Sequence, residues 1–65
     1  MRLREIRHIR GLTLKQVADE AKVSEAAMSL YERGKRNPNL VTAYRIAKAL
    51  GVTIDELMGT SKKAG

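Results

Sequence analysis

The sequence predicts an all-α, compact five-helix domain, and three observations carry that prediction. Apolar residues recur at three- and four-residue spacing along most of the chain, Ser, Thr or Asn stands before four of these runs, and Gly follows most of them. A chain of 65 residues has room for one domain, and one of this size buries only about 60% of the surface its unfolded form exposes. The core is therefore small. Without Phe or Trp it is aliphatic, with Tyr31 and Tyr44 as the only large rings. Without Cys it has no staple, so stability must come from helix packing or from dimerisation.

The elements follow in order. Leu3, Ile6 and Ile9 or Arg10 recur at helical spacing, and Gly11 closes that first helix. Thr13 caps the second helix, with Gln16 three residues on completing a capping box. Leu14, Val17, Ala18 and Ala21 share its inner face up to a break at Lys22. Ser24 caps the third helix, which runs from Glu25 through Glu32 and stops at Gly34, with Val23, Met28 and Tyr31 continuing the apolar pattern. The loop Lys35-Arg36-Asn37-Pro38-Asn39 ends in the cap Asn39, and Leu40, Ala43, Tyr44, Ile46, Ala47 and Leu50 form the expected buried stripe of helix four, ended by Gly51. Val52 and the capping Thr53 lead into a short helix from Ile54 to Met58. Residues 1–59 are thus read as the domain and 60–65 as a flexible C-terminal tail.

Within this series, Leu14 to Arg33 reads as two short helices hinged by a three-residue turn. The small Ala18 lets the second helix come close, and Val23 plugs the corner. In a short basic chain such a unit most often places a helix in the major groove of DNA.

The charge supports that reading through its distribution. Thirteen Lys and Arg against seven Asp and Glu give +6 and a pI near 10.2. Arg2, Arg4, Arg7 and Arg10 crowd the first helix, whereas both helices of the hinged pair are slightly acidic. Arg33, Lys35 and Arg36 follow the second of them directly, so positive charge rims the reading element and suits phosphates. Charge alone is equally consistent with solubility.

Other classes find little support. His8 is a lone histidine on the outer side of a predicted helix, and Asp19-Glu20 and Asp55-Glu56 are adjacent pairs that diverge around a helix and form no dyad. With no Cys and one His a transition-metal site is not expected, no glycine-rich phosphate loop is present, and neither enzyme activity nor a cofactor is predicted. The charged start Met1-Arg2-Leu3-Arg4-Glu5 does not read as a signal peptide, and no run of about 18 apolar residues exists. Membrane binding by the first helix conflicts with the need for Leu3 and Ile6 inside. A cytoplasmic protein is the expectation.

Gly11-Leu12-Thr13, Val17-Ala18, Val23-Ser24, Tyr31-Glu32-Arg33-Gly34-Lys35-Arg36-Asn37-Pro38 and Ile46-Ala47-Lys48-Ala49-Leu50-Gly51-Val52 together closely resemble the Cro/C1-type helix-turn-helix family, the XRE-like regulators of bacteria and phages. The resemblance covers residues 1 to about 58 and implies a lambda-repressor-like DNA-binding domain that usually binds a palindromic operator as a homodimer. It also implies an ion pair between Arg7 of helix one and Glu32 at the end of helix three. Two positions depart from the family: Leu14 stands where Gln is common, and Lys22 stands where the turn normally has Gly. If the turn keeps its left-handed residue, Lys22 adopts it at a cost of about 1 kcal/mol.

Carried onto this chain, the family pattern makes 25–33 the recognition helix. Glu25, Ala26, Ala27, Ser29 and Leu30 are the base-reading candidates, with Met28 and Tyr31 pointing inward. Glu25 can accept from cytosine N4, Ala26, Ala27 or Leu30 can touch thymine methyls, and guanine gains no bidentate arginine. Phosphate contacts are expected from Arg10, Thr13, Leu14 through its backbone, Lys15, Lys22, Ser24, Arg33, Lys35, Arg36 and Asn37. Val41, Val52, Ile54, Leu57 and Met58 exceed what a tiny core can bury, which points to a homodimer interface through helix five and its preceding loop, formed by Val52, Ile54, Leu57 and Met58. The leading expectation is a sequence-specific transcriptional regulator, a repressor of the phage or restriction-modification controller type, governed by concentration or a partner protein because the chain has no room for an effector domain. The alternative is a protein-interaction module, an antitoxin or adaptor with weak DNA binding, kept open by the acidic, apolar reading helix.

Overall fold

The computed structural model describes residues 2–59, and the expected tail at 60–65 lies outside them. Five helices follow in order: α1 Leu3–Ile9, α2 Leu14–Ala21, α3 Glu25–Glu32, α4 Leu40–Leu50 and α5 Ile54–Met58. Four of them start where a polar side chain can take an unpaired N–H. Thr13 Oγ1 accepts from the Gln16 N–H at 3.0 Å while Gln16 Oε1 accepts from the Thr13 N–H at 2.8 Å. Ser24 Oγ accepts from Ala27 at 3.0 Å, Asn39 Oδ1 from Thr42 at 2.8 Å, and Thr53 Oγ1 from Glu56 at 3.1 Å. Helix α1 has no side-chain cap. Instead the Arg2 N–H donates to the Leu57 carbonyl at 2.8 Å, tying the start of α1 to α5.

The first four helices end alike. A residue in the left-handed region stops the helix, and the next N–H reaches back to a carbonyl one turn inside: Leu12 to Arg7, Val23 to Ala18, Lys35 to Leu30 and Val52 to Ala47. At three of these ends the left-handed residue is Gly; at the end of α2 it is Lys22, with φ 61° and ψ 42°. The hinge thus keeps its geometry and absorbs the strain of a side chain, about 1 kcal/mol. Val23 packs against the core just beyond it.

Leu3, Ile6, Val17, Ala18, Ala21, Met28, Ile46, Ala47, Leu50 and Leu57 form one buried cluster drawn from all five helices, and among the described residues no polar or charged side chain is buried. Helix α2 packs on both α4 and α3, and α1 on α3 and α5. Alanines at 18, 21, 43 and 47 allow the close approach of α2 and α4 to their neighbours.

Three expectations about the core are corrected. Ile9 is exposed: Leu3 and Ile6 are the buried residues of α1, and the exposed Arg10 just beyond the helix reaches the Gly51 carbonyl at the α4–α5 corner. Leu40 and Tyr44 are exposed as well: the inward stripe of α4 is Ala43, Ile46, Ala47 and Leu50. Tyr44 sits about 100° further round than Ala43, and Leu40 is the first residue of the helix. Leu57, expected at a dimer surface, is fully buried, since α5 is the lid that α1 and α4 need to close a core this small.

Candidate nucleic-acid interface

Helix α3 is held by its inner side and free on its outer one. Met28 is fully buried, and Tyr31 is half-buried against the core. Glu25 and Ala26 are exposed, and Ala27, Ser29 and Leu30 are half-buried. Ala26, Ser29, Leu30 and Arg33 follow one another at helical spacing, so the outward stripe is two small residues, one leucine and a closing cation.

An ion pair fixes the far end of α3. Arg7 donates from Nε to Glu32 Oε2 and from Nη2 to Glu32 Oε1 at 3.2 Å, a two-pronged contact between planar groups. Its Nη1 donates to the Leu12 carbonyl at 2.9 Å. One guanidinium therefore joins α1, the α1–α2 loop and the end of α3. The bond to Leu12 had no signal in the sequence, because any residue offers a carbonyl.

The phosphate candidates fall into groups. The Thr13 and Ser24 hydroxyls each accept an N–H within their own helix, which leaves their O–H groups as donors. At the start of α2, the cap serves the Gln16 N–H and leaves those of Leu14 and Lys15 without a side-chain partner. The Leu14 side chain leans on the core. Lys15 pairs with Asp19 at 3.2 Å, both well exposed. Lys22, Lys35, Arg36 and Asn37 are exposed. Arg33 is exposed too and folds its Nε toward the Ser29 carbonyl at 3.4 Å. Arg10 is exposed as well, and its Nη2 reaches the Gly51 carbonyl at 3.5 Å.

The carboxyls with displaced titration lie on α1 and α5. Hydrogen bonds from the Thr53 backbone N–H and hydroxyl hold Glu56 below the ordinary carboxylate range, and the hydrogen bond and charge of Arg2 do the same for Glu5. A cleft of about 410 Å³ opens between α2 and α4, lined by Leu12, Gln16, Val17, Asp19, Glu20 and Ala49. Its two carboxylates suit it poorly to a phosphate backbone. Among the described residues no group of three or more His, Cys, Asp or Glu is placed to hold a metal ion, and no helix is long and apolar enough to cross a membrane.

This geometry is that of a helix-turn-helix domain, and the profile of the Helix-turn-helix family matches residues 3–57, so the chain belongs to that family in its Cro/C1-type form. It is 44% identical over 57 residues to the HTH-type transcriptional regulator DdrOP3 of Deinococcus deserti, covering 88% of this chain and 44% of that protein. It is 40% identical over 57 residues to the HTH-type transcriptional activator BcrR of Enterococcus faecalis, covering 88% of this chain and 28% of the other. To the immunity repressor protein of Bacillus phage phi105 it is 36% identical over 58 residues, 89% of this chain and 40% of the repressor. The chain spans less than half the length of each of these three relatives. The family they represent is one of transcriptional regulators rather than enzymes.

Proposed function

We propose that this chain is a cytoplasmic transcriptional regulator that binds double-stranded DNA in a sequence-specific way, acting as a homodimer on a palindromic operator and repressing transcription. The observation that carries the reading is the outward stripe of α3, clear of the core and followed at once by the exposed Arg33, Lys35 and Arg36. With α3 in the major groove, Ala26, Ala27 and Leu30 meet thymine methyls, Ser29 a base edge, and Glu25 cytosine N4. The free N–H groups of Leu14 and Lys15 and the hydroxyls of Thr13 and Ser24 take phosphate oxygens, while Lys22, Arg33, Lys35, Arg36 and Asn37 supply the rim. Two such helices about 34 Å apart reinforce one another on a two-fold symmetric site.

The test is selection of bound fragments from a random duplex library, followed by titration of the winner against scrambled duplex at fixed salt. A palindrome bound about a thousandfold more tightly than scrambled DNA is the expected result. Weak binding that vanishes with salt and enriches no motif overturns the reading. It would favour the second one, a protein-interaction module, for which the observation is that α3 exposes Glu25 at its start and has no Lys or Arg before Arg33. In that case Leu30→Asp abolishes binding of the partner with little dependence on salt.

A further inference from the structure

Helix α3 carries neither of the side-chain forks that read purines. From Glu25 to Glu32 it has no Arg or Lys for guanine N7 and O6 and no Asn or Gln for adenine N6 and N7. Arg33, the first cation, stands at the end of the helix and folds back toward the Ser29 carbonyl. The outward stripe offers instead the exposed Ala26 and, one turn further on, the half-buried Ser29 and Leu30. At that spacing their Cβ atoms lie about 5–6 Å from that of Ala26. We propose that this patch is a seat for the C5-methyl group of a pyrimidine and takes 5-methylcytosine as well as thymine, so that cytosine methylation at the bases it faces tightens binding; the inference rests on the DNA reading above.

The chemistry of the three residues separates the methyl from the base that bears it. Ala26 and Leu30 present only carbon, and a C5-methyl is the apolar feature of a base edge in the major groove. Thymine carries it beside the O4 acceptor, and 5-methylcytosine carries it beside the N4 donor. Ser29 does not tell these two apart, because a hydroxyl donates to O4 or accepts from N4. Its hydroxyl is open to either role: that of Ser24 is engaged in its cap, whereas no hydrogen bond among the described residues engages that of Ser29. Unmethylated cytosine keeps the donor and leaves Ala26 and Leu30 facing a C–H. Glu25, exposed at the start of the helix, adds to the bias. As a carboxylate it accepts and cannot donate, so the two acceptors of guanine repel it and the N4 donor suits it.

The patch is also held in place. Met28 is fully buried, and the two-pronged contact of Arg7 with Glu32 pins the far end of α3. A methyl is a small target, and side chains fixed by their helix meet it with little ordering left to do.

The experiment uses the duplex motif selected by the 65-residue chain. Affinity is measured with single thymines replaced by uracil, which removes only the methyl, and with the same position made a C·G pair bearing either cytosine or 5-methylcytosine. One or two thymines per half-site are expected to lose about fourfold in affinity as uracil, the equivalent of one buried carbon. At those positions 5-methylcytosine is expected to bind about fourfold more tightly than cytosine in the same pair. In Leu30→Ala and Ala26→Gly the thymine-to-uracil ratio falls toward one; taken within a single variant, that ratio does not depend on how much of the variant is folded. Uracil tolerated at every position, or 5-methylcytosine no better than cytosine where uracil costs affinity, overturns the methyl seat and leaves a sequence-specific regulator standing. A ratio unchanged in both variants overturns the assignment to Ala26 and Leu30. A chain that selects no duplex motif overturns the DNA reading and this inference together.

Discussion

At the residue scale, Lys22 and the Arg7–Glu32 pair concentrate the consequences. Lys22 occupies a left-handed conformation at the hinge of the two key helices, where a Cβ costs about 1–2 kcal/mol and glycine costs only its extra freedom in the unfolded chain. Lys22→Gly is therefore expected to raise stability by about 0.5–1 kcal/mol, measured as a higher midpoint in urea at unchanged slope. The Arg7–Glu32 pair behaves oppositely. Both side chains are largely shielded, so Glu32→Gln leaves a guanidinium with its best partner gone, a loss of about 3 kcal/mol. Replacing both, as Arg7→Met with Glu32→Leu, is expected to cost less than either single change. A double-mutant cycle in urea checks this, and additive losses would show that the two groups act separately.

At the scale of elements, the caps decide where helices begin. Helix α5 has five residues, too few to form alone, and its start depends on the reciprocal bonds between Thr53 and Glu56. Because those bonds favour the Glu56 carboxylate, its pKa is lower folded than unfolded. Its contribution is complete above the unfolded value of about 4.3 and disappears as pH falls through the lower folded one. Glu5, held down by Arg2, acts in the same sense. Thermal midpoints are thus expected to hold steady from neutral pH to about 5 and then fall, with Glu56→Gln flattening the acid limb. A limb of the same steepness in that variant would assign the acid loss to other groups. Helix α3 rests on Ser24 in the same way, and Ser24→Ala should cost about 1 kcal/mol.

At the scale of the whole molecule, a small core and a charged rim make separable predictions. Leu57 closes the core, so Leu57→Ala is expected to lose about 3 kcal/mol irrespective of protein concentration. A loss that vanished on dilution would instead place Leu57 at an interface. Arg36 is exposed beyond α3, and Arg36→Ala should weaken binding to all duplexes alike while lowering the slope of log affinity against log salt by about one. No change in slope would remove Arg36 from the phosphate contacts.

The five helices, their caps and the hinge were all legible in the order of residues, because capping and helix termination are settled within four or five positions of chain. Thr13 with Gln16, Ser24, Asn39 and Thr53 each bond where their spacing indicates. The inward position of Met28 could be read from periodicity for the same reason. What periodicity could not settle is which edge of a stripe meets a neighbour. Ile9, Leu40 and Tyr44 have the spacing of core residues and lie outside it, and Leu57 has the look of a surplus surface leucine and is enclosed. Only the tertiary packing decides these cases: α2 against α4 sets which stripe of α4 turns inward, and α5 against α1 and α4 encloses Leu57. Local rules act along the chain, whereas burial depends on which helices arrive on either side of a residue, and in a core this small one helix more or less reverses the answer.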